Sequence, residues 1–70
     1  MNWRKASQAA PYQLSEDGRY SVARVQYAQG ERFESWRTRA HPDGPHCVGT
    51  GFRTSQQARE AAEGDEDATA

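Results

Sequence analysis

Two histidines and a cysteine lie close together in the chain, at His41, His46 and Cys47. A thiol beside an imidazole can form a nucleophilic pair, and all three side chains can bind a metal. His46 and Cys47 are adjacent, however, and adjacent residues of a strand point to opposite faces. Zinc needs three or four ligands, and the chain has 1 cysteine. We therefore predict a non-enzymatic protein without catalytic residues, metal or cofactor.

A second set of side chains is of the types that bind other macromolecules. Trp, Tyr and Arg dominate the energetics of protein interfaces. The predicted partner-binding residues are Trp36, Arg37 and Arg39, followed by Arg24 and Tyr27. Alternation along a strand places Arg37 and Arg39 on one face and Arg32 on the other. The alternative interpretation is that these arginines are solvated and pair weakly with nearby acids, namely Glu31, Glu34 and Asp43.

Charge is unevenly distributed along the 70 residues, whose net charge is −1. Residues 1–59 hold nine basic and five acidic side chains, whereas residues 60–70 hold five acidic side chains and no basic one. A net acidic chain is a poor candidate for binding DNA, which usually requires several phosphate contacts. Residues 65–70 are predicted to be a disordered acidic tail. The alternative is that this tail screens a basic face or mimics nucleic acid.

The elements that position these residues are predicted to form a single domain over residues 12–64, after a flexible arm over residues 1–11. Tyr12 and Leu14 indicate a short edge strand. Longer strands are predicted over residues 19–28, 32–40 and 46–52. In the last of these, Val48 and Phe52 should lie on one face of the sheet and Gly49 on the other. Thr54 and Gln57 have the spacing of a helix-capping box, which predicts a helix over residues 55–63. The predicted fold is α+β, a three- or four-stranded antiparallel meander with the C-terminal helix on one face.

The predicted core is thin, because aromatic residues must supply most of its apolar area. In the first long strand Tyr20 and Val22 point to one side, and Val25 and Tyr27 to the other. Either both faces of the sheet are partly covered or a bulge changes the register. Alanines at positions 58, 61 and 62 give the helix one face of small side chains, which allows the helix to pack closely against the sheet.

The motifs Arg19-Tyr20-Ser21-Val22, Phe33-Glu34-Ser35-Trp36-Arg37 and Gly51-Phe52-Arg53-Thr54-Ser55 resemble those of small strand-strand-strand-helix proteins encoded by bacteriophages and prophages. This resemblance covers residues 19–63. It implies a non-enzymatic protein that binds and inhibits or modulates a host machine, such as RNA polymerase or a CRISPR effector. Separately, the single cysteine, Cys47, cannot form an internal disulfide, which favours a cytoplasmic location, in the host cell if the chain is phage-encoded.

Two nucleic-acid-binding families are also similar to parts of the chain. Phe52, Thr54 and Ala58 match the helix entry of the three-stranded amino-terminal DNA-binding domain of tyrosine integrases. That resemblance implies major-groove contacts from sheet residues, here Arg24, Arg32, Arg37 and Arg39. The glycines at 49 and 51 and the alanines of the helix resemble the end of a double-stranded-RNA-binding domain, although Ser55-Gln56-Gln57 replaces its phosphate-binding lysines.

Partners are therefore expected to be a host protein or, as the alternative, a nucleic acid bound by the arginine-rich sheet. No membrane partner is expected, because the chain has no apolar run near the length of a membrane span and its first ten residues lack the apolar centre of a signal peptide. A thin core and an open sheet edge also allow a homodimer.

Overall fold

The computed structural model describes residues 2–5 and 12–69 and has an α+β fold. Five antiparallel strands are ordered β1-β2-β3-β4-β5 in one sheet. They span Trp3–Lys5, Tyr12–Ser15, Tyr20–Tyr27, Gly30–Arg37 and His46–Phe52, and helix α1 spans Ser55–Thr69. The predicted fold class is confirmed, with five strands rather than three or four. The additional strand is β1, which pairs with β2 and lies within the predicted flexible arm.

Strands β3 and β4 form a regular hairpin that divides the sheet into two faces. Their register runs without interruption from the pair Tyr20↔Arg37 to the pair Tyr27↔Gly30. Gly30 closes the turn with a φ of 121°, a conformation that favours glycine. The two-sided pattern of apolar residues in β3 therefore comes from two different faces and not from a bulge. We name the two faces of the sheet the helix side, which contains Tyr20 and Val22, and the open face, on which no described element packs.

The last strand is irregular where it pairs with β4. Gly49 pairs with Ser35 and Phe52 pairs with Phe33, and the register shifts on both sides of Ser35. A Cβ added at Gly49 would lie 2.7 Å from Cζ of Phe52, so both residues face the same side. The prediction that Gly49 and Phe52 lie on opposite faces is therefore wrong, because extra residues in a bulged strand break the alternation.

Helix α1 begins where the capping pattern predicts and ends later. The backbone N–H of Gln57 donates to the Thr54 hydroxyl at 3.2 Å, and the Gln57 side chain accepts from the backbone N–H of Arg53 at 3.0 Å. The helix continues through Gly64 to Thr69. The prediction of a disordered tail over residues 65–70 is thus corrected for residues 65–69, which are helical.

The core lies between α1 and the helix side of the sheet. Its buried apolar residues, among those described, are Tyr20, Val22, Ala58 and Ala62. Ser35 is also fully buried. Small side chains on both elements let the helix approach the sheet closely, and they leave little apolar area for stability. Within the described part of the chain, no helix is long and apolar enough to cross a membrane.

Candidate functional site

The open face presents side chains from all five strands. Strand pairing aligns Arg4, Leu14, Ser21, Trp36 and Cys47 in one row across the sheet. Alternation along each strand adds further residues to this face, namely Tyr12, Ala23, Val25, Tyr27, Arg32 and Glu34. The sheet thus holds its second apolar surface opposite the face that α1 covers.

Two aromatic side chains on this face are exposed, Tyr12 at 40% and Trp36 at 37%. They lie on β2 and β4, on either side of β3, where the residues at the same level are Ser21 and Ala23. Neighbouring strands are about 4.8 Å apart, so the backbones of β2 and β4 are separated by about 10 Å. Small residues between two larger aromatic ones make a shallow trough in the open face.

A carboxylate of β4 fixes two aromatic residues of the open face, Trp36 beside this trough and Tyr27 at the end of β3. The indole Nε1 of Trp36 donates to Oε1 of Glu34 at 3.1 Å, and the hydroxyl of Tyr27 donates to Oε2 of the same carboxylate. The hydrogen bond to Glu34 raises the pKa of Tyr27. Both carboxylate oxygens are engaged, so Trp36 and Tyr27 are held in one orientation before any partner binds.

The structure separates the arginines that the sequence groups with Trp36. Arg37 lies on the helix side, where its side chain is 16% exposed and pairs with Asp65 at 2.8 Å and with Asp43 at 3.6 Å. Arg24 also lies on the helix side and pairs with Glu31 at 3.2 Å. Arg39 follows the end of β4 in a loop. Of the predicted partner-binding residues, only Trp36 and Tyr27 share the open face.

Arg4 and Arg32 are the arginines that strand register places on the open face. Neither forms an ion pair with another described residue, and Arg32 donates to the backbone carbonyl of Glu31 at 2.8 Å. Strand arginines on the helix side have carboxylate partners, whereas those on the open face have none within residues 2–5 and 12–69. A set of arginines divided in this way cannot act together on one surface.

A polar cluster holds the end of α1 against the sheet, and sequence reasoning missed it. Asp65 accepts from Arg37 Nε at 2.8 Å, from Arg37 Nη2 at 2.9 Å and from the Tyr20 hydroxyl at 2.8 Å. The bonds from Arg37, followed by that from Tyr20, lower the pKa of Asp65. Continuing the helical period of Ala58 and Ala62 to position 65 would have placed this aspartate on the buried side.

The histidines and the cysteine have separate environments. His41 is buried, with its ring 5.4 Å from that of Tyr20 and its Nδ1 accepting from the backbone N–H of Asp43 at 3.1 Å. Register places His46 beside Arg37 and Cys47 beside Trp36, on opposite faces. No group of three or more metal-binding side chains lies together among the residues that the structure describes.

Comparison with known proteins identifies no relative: no family model, curated protein or solved structure matches the chain significantly.

Proposed function

We propose that this chain is a non-enzymatic protein-binding module that uses its open face, with Tyr12 and Trp36 as anchors. The observation that carries the proposal is the exposure of these two aromatic side chains on a sheet face that no described element covers. Isolated exposed apolar residues are ordinary, but aromatic residues grouped on one ordered face are typical of protein interfaces. Glu34 supports this role because it orients Trp36 in advance.

These anchors can supply a substantial part of the free energy that specific binding requires. A Trp or Tyr side chain buries about 200 Å², and some 40% of each anchor is exposed. Covering the remaining area of about 80 Å² contributes about 2 kcal/mol for each anchor at about 25 cal/mol per Å². Because the indole is already oriented, less conformational entropy is lost when a partner binds. Together the two anchors could determine the affinity of a modest interface.

Nucleic-acid binding by an arginine-rich sheet is the weaker alternative. The arginines are divided between the two faces and a loop, and Arg24 and Arg37 already have carboxylate partners. Binding to phosphates requires several free cations on one surface. A role as an inhibitor of a phage host machine, such as RNA polymerase or a CRISPR effector, stays a prediction from the resemblance described above.

The test is quantitative capture of protein from a bacterial lysate by the tagged chain, with nuclease present and at high salt. We expect the native chain to capture one protein in stoichiometric amount. The double variant Tyr12→Ala/Trp36→Ala should capture at least tenfold less of it, because each anchor contributes more than the roughly 1.4 kcal/mol that corresponds to a tenfold change in affinity. Circular dichroism verifies that the variant is folded.

The matched control is Gln56→Ala/Glu60→Ala, which truncates two exposed side chains on α1 and leaves the helix cap intact. This control should capture as much protein as the native chain. Equal capture by the anchor variant would show that the open face is not the binding surface. Recovery of nucleic acid alone, lost with nuclease, would favour the alternative.

A further inference from the structure

In the described part of the chain, the arginines of the open face lack the counter-charges that Arg24 and Arg37 have on the helix side. Arg4 and Arg32 have no ion-pair partner among the described residues, and Glu34 is already engaged by Tyr27 and Trp36. The face thus carries two cations against one hydrogen-bonded carboxylate. A partner with carboxylates could pair with these two arginines, just as Asp65 of α1 and Asp43 of a loop pair with Arg37 on the helix side.

We propose that the partner bound by the open face is an extended acidic segment of another protein. In this complex, carboxylates of the segment pair with Arg4 and Arg32, and an apolar side chain lies between Tyr12 and Trp36. The inference rests on the proposed function, because it names the chemistry of the partner bound at the same surface.

Strand spacing sets the length of this segment. Arg4 on β1 and Arg32 on β4 are three strands apart across the sheet, about 14 Å, and their levels differ by four residues along the strand, about 13 Å. The two positions are therefore about 20 Å apart. An extended chain advances about 3.4 Å per residue, so about six residues span the two arginines. A segment with acidic residues near both ends and an apolar residue between them fits this spacing.

Charge also favours this partner over the two others that the surface could take. A second copy would oppose two faces with the same excess of positive charge, which disfavours the pair. A nucleic acid would find only two unpaired arginines on the face, with Glu34 between the aromatic residues. The outer surface of α1 carries Glu60 and Asp67 and repels an acidic segment, so electrostatics direct it to the open face.

The test uses a displayed library of short random peptides, selected against the immobilised chain. The peptides most enriched are then synthesised and their affinities measured by fluorescence anisotropy. We expect enriched peptides with an aromatic or aliphatic residue flanked on both sides by Asp or Glu. Their affinity for Arg4→Gln/Arg32→Gln should fall about two- to thirtyfold, since exposed ion pairs contribute about 0.2–1 kcal/mol each.

The charge-matched control is Arg39→Gln/Arg53→Gln, which removes two exposed arginines that lie outside the strands of the sheet. Its affinity for the peptides should equal that of the native chain. The inference is overturned if the native chain enriches no peptides, if the enriched peptides lack acidic residues, or if both arginine pairs affect binding equally.

The variant Trp36→Ala separates this inference from the proposed function on which it rests. Sensitivity to Trp36→Ala without sensitivity to Arg4→Gln/Arg32→Gln overturns only the acidic partner. Insensitivity to Trp36→Ala overturns the open face as well. Tighter binding of a single-stranded oligothymidine than of any peptide would overturn both in favour of nucleic acid.

Discussion

Replacing Asp65 with Asn tests how the acidic end of α1 is held on the sheet. The carboxylate accepts three hydrogen bonds of 2.8, 2.9 and 2.8 Å, and its side chain is 20% exposed. An amide offers one acceptor oxygen, so it can keep only part of this arrangement. The helix also ends in acidic residues without basic ones, an unfavourable charge for its C-terminus. We therefore expect Asp65→Asn both to destabilise the fold and to fray the last turns of α1.

The magnitude follows from the number of bonds and their exposure. Hydrogen bonds to charged groups contribute about 1.5–3 kcal/mol each, and partial exposure reduces this value. We expect Asp65→Asn to lower the free energy of unfolding by about 2 kcal/mol. Folded chains of this length have about 4–10 kcal/mol in total, so the loss should be easily measured.

Urea unfolding monitored by tryptophan fluorescence measures the stability, and amide hydrogen exchange measures fraying over residues 66–69. The control is Asp67→Asn, which makes the same chemical change on an exposed side chain two residues further along the helix. Equal stability and equal exchange in the two variants would refute the reasoning.

The cluster of Asp65, Arg37 and Tyr20 should make the stability of the fold depend on pH. The bonds from Arg37 lower the pKa of Asp65 in the folded state, while an unfolded aspartate has a pKa of about 3.9. Its stabilising contribution is therefore complete above the unfolded value and is lost as pH falls through the folded value. The pKa of Asp17 is also lowered, chiefly by the backbone N–H of Arg19. The free energy of unfolding should fall below about pH 4, less steeply in Asp65→Asn, whereas identical slopes would contradict this account.

Three further substitutions test the packing and the open face. Gly49→Ala places a Cβ 2.7 Å from the Phe52 ring and should lower the free energy of unfolding by about 1–3 kcal/mol in urea titration. Ser35→Ala removes a buried hydroxyl that has no hydrogen-bond partner within the described structure, so stability should be unchanged or rise by up to about 1 kcal/mol in the same assay, and a large loss would reveal an unseen partner. Glu34→Gln removes the carboxylate that raises the pKa of Tyr27, so ultraviolet titration should show this phenol ionising at lower pH than in the native chain.

The sequence predicts those elements whose signals are local. Thr54 and Gln57 define the start of α1 through hydrogen bonds between their side chains and the nearby backbone, and Gly30 closes the β3–β4 turn in a conformation that favours glycine. Strand β1 has only three residues, and β2, the strand with which it pairs, begins seven residues after β1 ends in the sequence. Such short strands carry little periodic signal.

The end of the helix could not be read from composition, because a tertiary contact determines it. Gly64 and the acids that follow it are typical of a helix end and a solvated tail. In the structure Asp65 faces Arg37, 28 residues earlier in the chain, and this pairing offsets the local preference to end the helix. The helical period places Asp65 on the buried side, but its partner Arg37 is too distant in the chain for the local sequence to identify it.

The candidate site was partly predictable from strand geometry. Adjacent residues of a strand face opposite sides, so strand alternation separates Trp36 from Arg37, whereas residue type groups both as binding residues. The anchor role of Tyr12 depends on its position two strands from Trp36, which only the sheet order provides. Assigning binding residues from type alone therefore combined two surfaces that the fold keeps apart.

Site-specific photo-crosslinking in cells tests the central claim most directly. One variant carries benzoylphenylalanine in place of Tyr12 on the open face, and the other carries it in place of Gln56, an exposed residue of α1. The account predicts one discrete protein crosslinked from position 12, absent from position 56 and abolished when Trp36→Ala is added. The same product from both positions, or persistence of the crosslink with Trp36→Ala, would contradict binding through the open face.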